Sequence, residues 1–239
     1  MAATNELTNQ MLALARLSPG DKVLDIGCGT GKAACRMAAD FGAEVTGLSP
    51  SAQCVADATA KAKELSQQHL MQFQIGDGMA PDFPDNSFDC TWVMEPSHLM
   101  TDKSAMLKEC ARVLKPGGRL VLRDIMLDHP MSLQDAITYR DEFLLLKDVY
   151  GRGDLEPLTF YEEHCKANGL RVEHCRNITS ETLRTFDCWR KNALAHKATV
   201  CDLIGEEAWQ QFLDSCDVLQ KFWLDKVLGY GIISACKPA

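Results

Sequence analysis

The run Val23-Leu24-Asp25-Ile26-Gly27-Cys28-Gly29-Thr30-Gly31 constrains this chain more than any other stretch. Strand-type residues lead through one acid into a turn in which glycine alternates, and Lys32 to Ala39 then reads as helix. A strand that ends in a tight glycine turn and opens a helix brings backbone N–H groups close to a ligand. Gly27, Gly29 and Gly31 accept backbone angles that a β-carbon forbids, and they leave room against the main chain. A dinucleotide-binding turn needs G-x-G-x-x-G. Here the spacing is Gly27-x-Gly29-x-Gly31, position 32 is lysine, and Asp25 is misplaced for a dehydrogenase.

The order of elements predicts an α/β fold. Strands are expected at 22–26, 44–48, 71–75, 88–94 and 119–126, with helices over 32–41, 51–67 and 104–114 and an earlier helix over 4–17. Strands alternating with helices at this pitch make a parallel, doubly wound sheet. The later half predicts helices over 131–150, 159–168, 180–197 and 206–228, and strands over 170–178 and 229–236. No repeat or linker divides the chain, so it reads as a single domain over 1–239. Its core would be 1–126, helical cap insertions 127–157 and 179–227, and the final strand 228–237. The cap is expected over the mouth beyond the C-terminal strand ends, where open α/β sheets bind ligands.

Composition narrows the function classes. A net charge of −8 without a Lys/Arg run argues against nucleic acid as a partner. No stretch is apolar for long enough to span a bilayer. Met1 to Glu6 lacks a basic segment followed by an apolar core, and the eleven cysteines include no C-x-x-C pair. Reduced thiols and a cytoplasmic location are therefore expected. His164-Cys165 and His174-Cys175 fit no zinc spacing, so no metal is expected. A homodimer stays open.

The first run as a whole resembles the first motif of the class I S-adenosylmethionine (SAM)-dependent methyltransferases. Phe83-Pro84-Asp85-Asn86-Ser87-Phe88-Asp89 and Leu114-Lys115-Pro116-Gly117-Gly118-Arg119-Leu120 are similar to further strings of that family, and the resemblance covers 1–126 well. It implies a Rossmann-like, seven-stranded sheet, SAM as cofactor and S-adenosylhomocysteine as product. Asp25 would hold the methionine end, beside the turn of Gly27, Cys28, Gly29 and Gly31. The family usually places an acid on the ribose at the end of the second strand. Here Ser49 occupies that position, and Ser49 and Gln53 would bond the diol without charge, unless this stretch is only a turn and helix cap. Asp77 would receive the adenine amino group, with Gly78 and Met79 flanking the ring; a solvated loop acid is the plainer reading.

Methyl transfer needs in-line positioning and, at a hydroxyl or amine, a general base. Glu95-Pro96-Ser97-His98-Leu99-Met100-Thr101-Asp102 resembles the E-S-x-x-H-M-x-D segment of sugar and polyketide O-methyltransferases. Glu95, Met100 and Asp102 match, but the usual histidine column falls on Leu99 and His98 lies one place earlier. His98 would be the base or a loop cap. Asp124 would orient it, and Glu95 would face the sulfonium or shape the pocket. Arg123 reads as a carboxylate partner or a phosphate contact. Arg184, Arg190, Lys191 and Lys197 form a solvated helix face or a clamp for an anionic substrate. The expected function is transfer of methyl from SAM to a small-molecule metabolite by O- or N-methylation. C-methylation of an isoprenoid diphosphate or another alkene, and a non-catalytic SAM-binding scaffold, are the alternatives.

Overall fold

Seven strands form one sheet in the order β3-β2-β1-β4-β5-β7-β6: β1 Lys22–Ile26, β2 Glu44–Ser49, β3 Met71–Ile75, β4 Phe88–Met94, β5 Leu114–Leu127, β6 Arg171–Asn177 and β7 Leu228–Cys236. This is a computed structural model that describes residues 2–239, with side chains from residue 6 onward. The helices are α1 Ala2–Ala15, α2 Lys32–Phe41, α3 Ala52–Glu64, α4 Lys103–Val113, α5 Leu133–Thr138, α6 Arg140–Tyr150, α7 Leu158–Ala167, α8 Thr179–Thr182, α9 Arg184–Ala195, α10 Lys197–Ile204 and α11 Glu206–Leu224. Two compact units result. The first comprises residues up to Asp124, Thr159–Arg176 and Ile232–Ala239; the second comprises Ile125–Leu158 and Asn177–Gly231.

In the first unit, β1 pairs parallel with both β2 and β4, β2 with β3, and β4 with β5. The inner strands are apolar on both faces: Val23, Leu24 and Ile26 on β1, Trp92 and Val93 on β4, and Leu120, Val121 and Leu122 on β5 are buried. Such runs are what a parallel sheet covered on both sides requires. Chain order reverses between β1 and β4, and the carboxyl ends of strands at such a switch point define a ligand crevice.

The fifth strand starts earlier than the sequence suggests. Phe88 pairs with Leu114 and Cys90 with Arg119, so Lys115-Pro116-Gly117-Gly118 is a bulge carried within β5 rather than a turn before it. Gly117 has φ +82, and it exchanges backbone hydrogen bonds at this bulge with the chain's end: Gly117 donates to Lys237 and Lys237 to the carbonyl of Gly118.

The second unit is mainly helical. The expected helix over 131–150 is two: Ser132 caps α5 in a reciprocal capping box with Asp135, and the chain breaks at Tyr139, whose ring packs edge-on against Phe222 at 5.2 Å. The stretch expected as one helix over 180–197 is α8 and α9, and α10 was not foreseen. His196, at φ −115 and ψ 23, separates α9 from α10, and Gly205, at φ +86, ends α10. Among the described residues no helix is long and apolar enough to cross a membrane.

Candidate active site

The glycine turn closes β1 against its neighbours. Gly27 and Cys28 both donate their N–H to the Leu48 carbonyl at the end of β2, at 2.8 and 3.1 Å. Two of the turn's N–H groups are therefore used within the protein instead of facing a ligand, a correction to the simplest reading of the motif. The three glycines are not equivalent. A β-carbon on Gly27 would collide with the Pro96 ring, and one on Gly31 would press on Ala58 and Phe73 at 3.0 Å. One on Gly29, at φ +51, would meet nothing within 4 Å. Gly27 and Gly31 serve packing, whereas Gly29 lines open space.

Beside this turn, Asp25 is 2% exposed, and its Oδ2 has no hydrogen-bond partner among the described residues. Burial pushes its carboxyl up to about 7. An unsatisfied buried carboxylate oxygen is costly unless a ligand completes it. A cationic group such as the ammonium of SAM suits that oxygen, and the space at Gly29 suits the close approach of a ligand to backbone. The residues therefore fit the cofactor. Cys28 is buried against the same carboxylate; burial first and Asp25 second push its thiol up to about 12, so it is a neutral wall.

At the end of β2, Ser49 is buried and its Oγ accepts from the Ser51 N–H at 3.2 Å, while Ser51 caps α3 by accepting from Cys54. Gln53 is exposed and donates to Asp57 at 2.9 Å along the helix. At the end of β3, exposed Asp77 accepts from the Met79 N–H at 2.8 Å, forming a tight local turn. That turn sets Gly78 on Ile26 and Met100, and Met79 Sδ lies 3.4 Å from the Asp102 N–H. The ends of β1, β3 and β4 thus converge.

After β4, Glu95 adopts φ +68, unusual for a residue with a side chain. Its N–H donates to the Arg123 carbonyl at 3.0 Å, and its carboxylate, half exposed, lies 3.6 Å from the buried Arg123 guanidinium. This matches the carboxylate-partner reading of Arg123. A short 3-10 turn over Ser97–Leu99 follows. There His98 Nδ1 meets Asp124 Oδ1 at 2.7 Å. Asp124 is fully buried, and its Oδ2 accepts from the Ser97 N–H at 2.7 Å, the Ser97 hydroxyl at 2.6 Å and the His98 N–H at 3.2 Å. Burial alone would lower the His98 pKa. The hydrogen bond and charge of Asp124, with Glu95 adding, outweigh it and hold the imidazole above the ordinary histidine value, despite an opposing effect from Lys103. Asp102, matched by resemblance alone, has a structural role: its Oδ1 caps α4 at the Ala105 N–H.

Sequence reasoning missed Ser97 and Tyr161. Ser97 stands beside His98 and could have been noticed. Tyr161, fully buried on α7 and 2.9 Å from the Ser97 hydroxyl, carries no local signal 64 residues away.

Of the four cations Arg184, Arg190, Lys191 and Lys197, Arg190 and Lys197 are engaged with carboxylates. Arg190 pairs with Asp187, Asp217 and Gln220, and Lys197 with Glu206 at 2.8 Å and the Trp209 ring at 4.2 Å. His164-Cys165 lies on α7 and His174-Cys175 on β6. No three His, Cys, Asp or Glu side chains gather as a metal set among the described residues.

The chain has relatives among known proteins and solved structures. Residues 24–122 match the family described as Methyltransferase domain. Across 99% of its length the chain is similar to the 27-O-demethylrifamycin SV methyltransferase of Amycolatopsis mediterranei, at 32% identity and covering 84% of that protein. Over 74% of its length it is 45% identical to the 2-methyl-6-phytyl-1,4-hydroquinone methyltransferase of Synechocystis, of which it covers 54%. Among solved structures it is similar to the cyclase SpnF, with a TM-score of 0.81 and 26% identity over 98% of this chain and 80% of that one.

Proposed function

The chain belongs to the class I SAM-dependent methyltransferases acting on small molecules, and on that premise we propose that it methylates a hydroxyl or amine with His98 as general base. The observation that carries this reading is the 2.7 Å contact between His98 Nδ1, just after β4, and the buried Asp124 on β5. Bound SAM supplies an electrophilic methyl group. Asp124, held by Ser97, accepts a hydrogen bond from the Nδ1–H of His98, stays ionised and fixes the ring. Nε2 is then the nitrogen with a lone pair, and it takes the proton of the acceptor as the new bond forms. The imidazolium that results is stabilised by the Asp124 charge. Glu95 shapes the polar side of the pocket. Asp25 would hold the methionine end, Ser49 and Gln53 the ribose, and Asp77 the adenine.

Two of the four cations read as a possible clamp, Arg190 and Lys197, are held by carboxylates, which weakens the case for a diphosphate acceptor. Eleven free thiols fit a cytoplasmic setting.

The test is incubation of the protein and methyl-labelled SAM with a metabolite extract, or with bulk RNA, DNA or protein. Label is expected in O- or N-methylated metabolites. Label confined to macromolecules would refute the reading, and label on carbon would refute its choice of atom.

Asp77→Ala is expected to weaken SAM binding by ~10- to 100-fold, from a loss of about 1.5–3 kcal/mol of charge-assisted hydrogen bonding. Asp77→Asn can still accept from the Met79 N–H, so it separates loss of charge from loss of the local turn. Calorimetry giving wild-type affinity in both variants would remove Asp77 from the adenine site.

A further inference from the structure

We propose that Tyr161 and Ser97 are positioning residues that set the proton affinity of His98 through Asp124, a chain of hydrogen bonds running from α7 to the end of β4. The inference rests on the assignment of His98 to the active site but does not need His98 to be the base. The distances are continuous: Tyr161 Oη to Ser97 Oγ 2.9 Å, Ser97 Oγ to Asp124 Oδ2 2.6 Å, and Asp124 Oδ1 to His98 Nδ1 2.7 Å. Tyr161, Ser97 and Asp124 are each fully buried, so water does not compete along the chain. An ionised carboxylate is an acceptor only, so the Ser97 hydroxyl donates to Asp124, and its oxygen then accepts from Tyr161. Donation by Tyr161 strengthens donation by Ser97, because hydrogen bonds in series polarise one another. Both disperse negative charge on Asp124 that would otherwise act on the imidazolium. The charged groups acting on His98 are Asp124 from β5, Glu95 from the β4 end and Lys103 from α4, and the chain through Ser97 acts on the first of these.

Removing either hydroxyl therefore concentrates charge on Asp124 and raises the pKa of His98. If Tyr161 acts on His98 by way of Ser97, as the relay requires, the two changes are not additive. The experiment is an NMR titration of the histidine ring resonances in the full chain, with His98 assigned by its absence in His98→Gln. Ser97→Ala is expected to raise the His98 pKa, Tyr161→Phe to raise it less, and the double variant to raise it no more than Ser97→Ala. A merely structural tyrosine would lower the melting temperature and leave the titration in place. An unmoved His98 titration in both single variants, or additive shifts, would overturn the proposal. The pH dependence of labelled-methyl incorporation into the metabolite extract separates the two readings. A moved titration with an unmoved pH profile keeps the relay and removes His98 as the base.

Discussion

Replacement of His98 by alanine is expected to lower turnover by ~10²–10⁴ with SAM affinity unchanged. Loss of a general base removes an interaction realised only as the acceptor proton moves, so kcat and kcat/KM fall together. The pH profile carries the sign. A base works as the neutral imidazole, so the rate rises as pH climbs through the His98 pKa. Burial tends to lower that pKa, and the Asp124 hydrogen bond and charge raise it further than burial lowers it. The rising limb should therefore lie above the ordinary histidine value and vanish in the alanine variant. Steady-state rates between pH 6 and 9, on an acceptor recovered from the labelling experiment, make the measurement. Near-normal turnover across that range would defeat the base assignment and leave positioning alone as the source of rate.

Gly29→Val is expected to abolish SAM binding while the protein stays folded. The two effects separate because a β-carbon at Gly29 meets no protein atom within 4 Å. The branched side chain instead fills the space a ligand would use. Backbone strain remains: φ +51 costs a residue with a β-carbon roughly 1–2 kcal/mol, which in a chain of this size lowers Tm by about 2–8 °C. Gly27→Val is the contrasting variant, since its side chain would drive into Pro96 and displace the segment that carries His98. Calorimetry with SAM and a thermal melt on each protein distinguish a blocked site from a damaged fold. Unchanged affinity in Gly29→Val would sink the assignment of the glycine turn.

What the sequence by itself determined is local. The run from Val23 to Gly31 dictates strand, turn and helix because each step depends on neighbouring residues: apolar β-formers, then glycines at positive φ, then a helix opening at Gly31. The strands at 71–75 and 88–94 were legible for the same reason, bounded by turn residues on either side. Asp25, Gly29, His98 and Asp124 could be named because the strings around them resemble those of the methyltransferase family, and the ligand side of an alternating α/β sheet lies toward its strand ends. Where local signals were weak, in the helices between 131 and 204, the breaks at Tyr139 and His196 were missed. An amphipathic stripe runs through such a break without marking it.

Only the tertiary structure decided what each glycine does and which partner each acid holds. That Gly27 exists for Pro96, 69 residues later in the chain, depends on β1 lying beside β4. That Asp124 binds His98 and Ser97, while Asp102 merely caps a helix, depends on the pairing of β4 with β5. Tyr161 reaches Ser97 across 64 residues, and no periodicity encodes such a contact. Burial is a property of the packed molecule, and burial raises the Asp25 carboxyl, opposes the charge on His98 and makes the bonds around Asp124 strong enough to matter.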